Sequence, residues 1–205
     1  MMQEKMRIYG DKRSGNCHKV KVICDLTNTR YQWIDVDVTK GETRQEDFLK
    51  LNLNARIPCV QFADGRILAE SNAILTYIAR GTPYFPNDDW QQAKILQWLF
   101  FEQYSHEPYI ATCRYWMHIS KEGQKFAEKI ENLRPKGYAA LHVMDKHLST
   151  RTDGLFVGDT VSIADIALFA YTHVADEGGY DLSHYPHIKA WLKKVKHNGI
   201  LPMEK

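Results

Sequence analysis

Residues 55–75, ARIPCVQFADGRILAESNAIL, decide how this chain is read. Two short apolar runs flank Ala63-Asp64-Gly65, and an Asp-Gly turn between such runs specifies an antiparallel hairpin. SNAILTYIAR, 71–80, follows with apolar residues at helical spacing, and Gly81 stands behind it to end the helix. Pro58 sits at the mouth of the first run. There it is either an edge-strand proline or the site of a cis bond, because X–Pro is the linkage where cis costs little. Glu70 and Ser71 place an acid and a hydroxyl ahead of a helix whose free N–H groups favour an anion.

Upstream, MRIYG (6–10) reads as a strand and DKRSGN as a loop. CHKVKVICDLTN (17–28) puts Val20, Ile23 and Cys24 on one helical face. YQWIDVDV (31–38) alternates as a strand does, and ETRQEDFLKLNLN (42–54) reads as a polar helix. The order is β-α-β-α-β-β-α. Downstream, GTPYFPNDDW (81–90) is proline-rich and aperiodic, a linker. Beyond it the segments 91–118, 123–149, 162–175 and 186–198 have helical period, with Pro108 placed to kink the first. The expected organisation is an α/β domain over 1–82, a linker over 83–89 and an all-α domain over 90–205.

The 205 residues, 44% hydrophobic, are enough to fill real cores. With 27 basic and 25 acidic side chains the net charge is +2, a balance that argues against binding nucleic acid by phosphate neutralisation. No run approaches the ~20 apolar residues of a membrane helix, and the charged MMQEKMRIYG lacks a signal-peptide pattern. The four cysteines (Cys17, Cys24, Cys59, Cys113) form neither C-x-x-C nor zinc spacing, as expected of reduced thiols in a cytoplasmic protein. His184 and His187 alone make a poor metal site, and no metal is expected. Pro186 is read as opening the last helix, and Ser162 with Asp165 as a capping box.

RIYGDKRSGNCHKVK (7–21), RIPCVQFADGRILAESNAIL (56–75), VSIADIAL (161–168) and HYPHIKAWLKKV (184–195) together resemble the cytosolic glutathione transferases, in particular bacterial, serine-type members. The resemblance implies a thioredoxin-like first domain that binds glutathione, an all-helical second domain and a homodimer. It also implies glutathione as co-substrate with no permanently bound cofactor. The implied activity is conjugation of the glutathione thiolate to small hydrophobic electrophiles in detoxification. The alternatives are glutathione-dependent peroxide or disulfide reduction, or a non-catalytic regulator or scaffold.

The family's motifs carry over residue by residue. Arg56, Ile57 and Pro58 fall in its glutathione-binding segment; with a cis bond, the Ile57 backbone would pair with a peptide ligand like an added strand. Glu70 suits an ammonium and Ser71, capping its helix, a carboxylate, the two charges of a γ-glutamyl group. Ser14 lies in the loop that holds the activating hydroxyl of serine-type members, and Asn16 is the second candidate. Tyr9 falls in the strand, too early to act. Cys17 would form a mixed disulfide in other branches, but it sits inside the helix. Trp98, Phe101, Tyr104 and Tyr109 form an aromatic stripe that is mainly core, while Tyr104, His106, Tyr109 and Trp116 are the candidates for the electrophile pocket. LNLNARIP departs from the family in having Leu53 and Ala55 where proline and glycine are frequent.

Overall fold

The computed structural model describes residues 6–203; the charged MMQEK stretch and the last two residues, 204 and 205, lie outside them. The chain divides into two compact units, one running to Arg80 and taking in Met203, the other spanning Gly81–Pro202.

The first unit contains β1 (Met6–Gly10), α1 (Gly15–Leu26), β2 (Tyr31–Asp35), α2 (Glu46–Leu49), β3 (Cys59–Gln61), β4 (Ile67–Ala69) and α3 (Ser71–Ala79). Its sheet has the order β2-β1-β3-β4. β1 and β2 are parallel, a pairing that needs a crossover, and α1 supplies it. β3 runs antiparallel to β1 and β4, with Ile8 opposite Val60 and Val60 opposite Leu68. This is the thioredoxin-like arrangement expected from the sequence.

The period of two along each strand separates two cores. Ile8 and Val60 face one way and are fully buried together with Val20 and Ile23 of α1 and Ile74 and Leu75 of α3. On the other face Phe48 of α2 packs with Val36 and Cys59 against Tyr9, Leu51 and Ile57. A side chain at Gly10 would meet Cys17 Sγ at 2.9 Å and the Trp33 ring at 3.0 Å, so the bare backbone there lets α1 start against the end of β1.

Two elements are shorter than the sequence suggests. β2 stops at Asp35 because Asp37 accepts from the Thr39 N–H at 2.9 Å and its hydroxyl at 2.6 Å, drawing Val38–Lys40 into a 3-10 turn. The polar helix read over 42–54 is a 3-10 turn, Glu42–Arg44, followed by the four residues of α2. Phe48 is its one buried anchor, and a polar segment with a single anchor gains too little from burial to extend.

The second unit is helical: α4 (Asp89–Phe101), α5 (Glu107–Arg114), α6 (Ala127–Ser149), α7 (Ile163–Thr172) and α8 (Pro186–His197). Pro108, at the start of α5, has no N–H to offer the preceding turn, and the kink expected there takes the form of a wide π-type turn over Glu102–His106. Every residue of α7 is buried. Its Asp165 is the polar lock of the unit. Oδ1 accepts from Phe156 N–H at 3.1 Å and Trp191 Nε1 at 2.9 Å, and Oδ2 from the Ser162 N–H and hydroxyl, both at 3.0 Å. Burial pushes the Asp165 carboxyl up, and these four donors pull it only part of the way back. Pro186 opens α8 as expected, and Asp145 accepts from the N–H groups of His187 and Ile188 at 2.9 Å while lying 3.1 Å from His187 Nδ1. His187 is thus engaged by a carboxylate at a helix start, and no metal-holding cluster occurs among the described residues. No helix of the described residues is long and apolar enough to cross a membrane.

Gly137, inside α6, has no room for a methyl group, since a Cβ there would overlap the hydroxyl and ring of Tyr180. Helix propensity favours alanine over glycine by about 1 kcal/mol, whereas forcing a methyl into a packed contact costs about 1–3 kcal/mol. Gly137→Ala should therefore lower stability by up to about 2 kcal/mol in urea unfolding. A gain would mean that Tyr180 is free to move aside.

Candidate functional site

The turn before α1 is built around an ion pair between the buried Asp11 and the exposed Arg13. Asp11 accepts from the Arg13 backbone N–H and Nε at 2.9 Å and from Nη2 at 2.6 Å. Burial pushes the Asp11 carboxyl up, but the Arg13 bonds and charge outweigh it and the net shift is downward. Ser14 N–H donates to the Asp11 carbonyl at 2.9 Å, which delivers Ser14 to the N-cap of α1. There its Oγ accepts from Cys17 N–H at 3.4 Å, and as a hydroxyl it still has a proton to donate. Asn16 follows in the first turn, half-buried.

The start of α3 differs from the sequence reading. Glu70, not Ser71, occupies the N-cap, with φ 68° and ψ 110° and no capping bond from its side chain. A non-glycine residue in that region costs on the order of 1–3 kcal/mol, and such residues concentrate at functional sites. Ser71 is the first helical residue and its side chain turns inward: Oγ donates to Asn16 Oδ1 at 3.3 Å and lies 3.5 Å from Lys19 Nζ. The first turns of α1 and α3 therefore meet at one hydroxyl. Glu70 itself is exposed.

The Ile57–Pro58 bond is cis. β3 begins at Cys59, so Ile57 stands ahead of the ladder with its side chain packed on the Val36, Phe48 and Cys59 cluster. Arg56 is exposed, its carbonyl accepting from Asn52 Nδ2 at 2.8 Å.

Comparison with known proteins matches both units of the chain. Residues 4–80 match the description "Glutathione S-transferase, N-terminal domain" and residues 91–198 match "Glutathione S-transferase, C-terminal domain". The chain belongs to the glutathione S-transferase family. A crystal structure of a glutathione S-transferase from Pseudomonas fluorescens Pf-5 is 47% identical, with TM-score 0.94 over 98% of this chain and 100% of that one. The disulfide-bond oxidoreductase YfcG of Escherichia coli K12 is 29% identical over 188 residues, 88% of this chain and 86% of that protein. The transcriptional regulator URE2 of Saccharomyces cerevisiae is 24% identical over 228 residues, and this chain spans 64% of its length. Ure2p in complex with glutathione shares the fold at TM-score 0.85.

The four aromatic candidates of the second unit of this glutathione S-transferase family member do not share one environment. Tyr104 is 83% exposed, which removes it from the core stripe, whereas Trp98 is buried. His106 departs from its expected place in a pocket: it is fully buried, with Nε2 2.9 Å from Thr172 Oγ1. The wide turn rotates it inward, away from the face that Tyr104 presents. Tyr109 and Trp116 are half-buried, Tyr109 under Lys136 Nζ at 5.6 Å and Trp116 stacked on Phe126 at 4.6 Å.

Lys19 is the residue that the sequence reading missed. It lies four positions before Ile23, on the buried stripe of α1, and that spacing was available in the sequence. Cys17 is fully enclosed, and burial pushes its thiol up to about 12 despite the Ser14 contact. Cys24 and Cys59 are likewise raised by burial, to about 12 and about 11, and Cys113 is buried too. Native protein at neutral pH should therefore expose no thiol to Ellman's reagent, and all four should react in denaturant. One fast native thiol, identified as Cys17 by its loss in Cys17→Ser, would restore the mixed-disulfide chemistry.

Proposed function

We propose that this family member is a cytoplasmic glutathione transferase that conjugates the glutathione thiolate to small hydrophobic electrophiles, a detoxifying activity. The observation that carries the proposal is the meeting of Ser71 and Asn16, 3.3 Å apart, which joins the thiol-activating candidates to the γ-glutamyl candidates. Glu70 takes the ligand's ammonium, and Ser71 with the N–H groups of α3 takes its α-carboxylate. The Ile57 backbone pairs with the cysteinyl peptide group, and Arg56 offers a cation nearby. Ser14 donates its hydroxyl proton to the sulfur, with Asn16 as the other donor. The thiolate then attacks carbon, forming a thioether as the leaving group departs with its electron pair. Tyr109, Trp116 and Tyr104 are the aromatic candidates for the second substrate.

The likeness to YfcG favours a second reading in which two glutathiones reduce a disulfide, giving glutathione disulfide and two thiols. The same thiolate starts either reaction. The test is calorimetry with glutathione followed by turnover on an electrophile, a peroxide and a disulfide. Glu70→Ala and Ser71→Ala should each weaken binding by about 1.5–3 kcal/mol. Ser14→Ala should leave affinity nearly unchanged, raise the pKa of the bound thiol in an absorbance titration, and lose activity at neutral pH that returns as pH rises. If Asn16→Ala alone moves the titration, the amide is the activator. Binding without turnover on any substrate would favour the non-catalytic reading.

A homodimer is part of the proposal. Exposed apolar side chains support it on both units: Ile67 and Tyr77 at the hairpin and α3, and Phe100 at the end of α4. Light scattering at micromolar concentration should give twice the chain mass; a monomer would remove this assembly.

A further inference from the structure

Lys19 is fully enclosed in the first unit, and its Nζ lies 3.5 Å from Ser71 Oγ. A lysine ammonium only donates, so the Ser71 oxygen receives from it. The single Ser71 proton is then left for an acceptor, Asn16 Oδ1 at 3.3 Å in the ligand-free chain and, under the glutathione reading, the α-carboxylate when ligand is bound. Enclosing a cation costs several kcal/mol, and an apolar residue on this stripe, beside Val20 and Ile23, would avoid that cost. What the cation adds is position. It lies at the first turn of α3, where free N–H groups already favour negative charge, and Ser71 Oγ is among the atoms it contacts.

We propose that Lys19 is a positioning and specificity residue for the α-carboxylate of the γ-glutamyl group, orienting the Ser71 hydroxyl and supplying enclosed positive charge behind the anion. This rests on the glutathione reading above. Lys19 selects ligands that carry an anion at that carbon and leaves the ammonium to Glu70.

The test pairs two ligands with two proteins in calorimetry. One ligand is glutathione; the other is γ-aminobutyryl-cysteinylglycine, which keeps the amine and lacks the α-carboxylate. Lys19→Met should weaken glutathione at least tenfold and the analogue less than twofold. Lys19→Arg should recover part of the glutathione affinity. Should the Met variant fail to fold, Lys19→Gln, a neutral donor, is measured in its place with the same contrast expected. Equal losses on both ligands, or no loss, would overturn the proposal while leaving the glutathione reading intact. Wild-type protein that binds neither ligand would bring down both.

Discussion

A single hydroxyl, Ser71 Oγ, joins the first turns of two helices, and the first unit is arranged so that it can. α1 is set by the Asp11–Arg13 turn and by the bare backbone of Gly10, and α3 by the hairpin that ends at Glu70. The two helices pack on each other, and their Val20, Ile23, Ile74 and Leu75 are fully buried, as are the paired strand residues Ile8 and Val60. Bringing two helix N-termini together places two positive dipole ends side by side, which is unfavourable unless something negative or polar lies between them. Ser71 and Asn16 supply the polar part. In the proposed site the ligand's α-carboxylate supplies the rest, which makes the packing of the fold and the choice of ligand one problem.

Backbone strain is found in both segments that carry the candidate ligand residues. Glu70 has φ 68° and Ala55 has φ 52°, both in the region where a Cβ is costly. At Ala55 the support is local. Asn52 accepts from the Ala55 N–H at 3.0 Å through its carbonyl and from the Asn54 N–H at 3.1 Å through Oδ1, and it donates to the Arg56 carbonyl. That network holds an alanine where the family often has glycine. At Glu70 no side-chain cap compensates, and the carbonyl instead accepts the first helical bond, from Ile74 N–H at 3.0 Å. The strain turns the Glu70 side chain to solvent and the Ser71 side chain inward.

The elements legible in the sequence were those whose pattern is enforced by burial. The hairpin around Asp64-Gly65, the stripe of Val20, Ile23 and Cys24, and the helix starts at Ser162 and Pro186 follow from period, turn chemistry and capping alone. The misread parts lack such enforcement. The 42–54 segment has helix-favouring residues but one anchor, Phe48, and the Asp37 turn ends β2 through a side-chain contact that alternation does not encode. Of the candidate site, the sequence names residues but does not encode their orientations. Whether Ser71 caps α3 or faces α1 depends on the φ of Glu70, and whether His106 faces a pocket or Thr172 depends on a widened turn three-dimensional in origin. Lys19 was overlooked for a different reason: charge outweighed position in reading it.

The cysteines narrow the chemistry that the proposed site must perform. All four are enclosed, and burial pushes the Cys17, Cys24, Cys59 and Cys113 thiols up, so none is a ready thiolate at neutral pH. In the proposed reaction the nucleophilic sulfur is therefore the ligand's. A free thiol titrates near 8.5, and lowering it by about two units requires about 2.7 kcal/mol of preference for the thiolate. A hydrogen bond to a charged acceptor contributes about 1.5–3 kcal/mol and a helix N-terminus about 0.3–1 kcal/mol. One donor from Ser14 or Asn16 plus the end of α1 reaches the required value. A second donor would overshoot it and make the sulfur a poorer nucleophile, since nucleophilicity falls with pKa. Accepting from Ser71 occupies Asn16 Oδ1 but not its N–H groups, so in the proposed site Asn16 Nδ2 and the Ser14 hydroxyl are alternative donors to the sulfur.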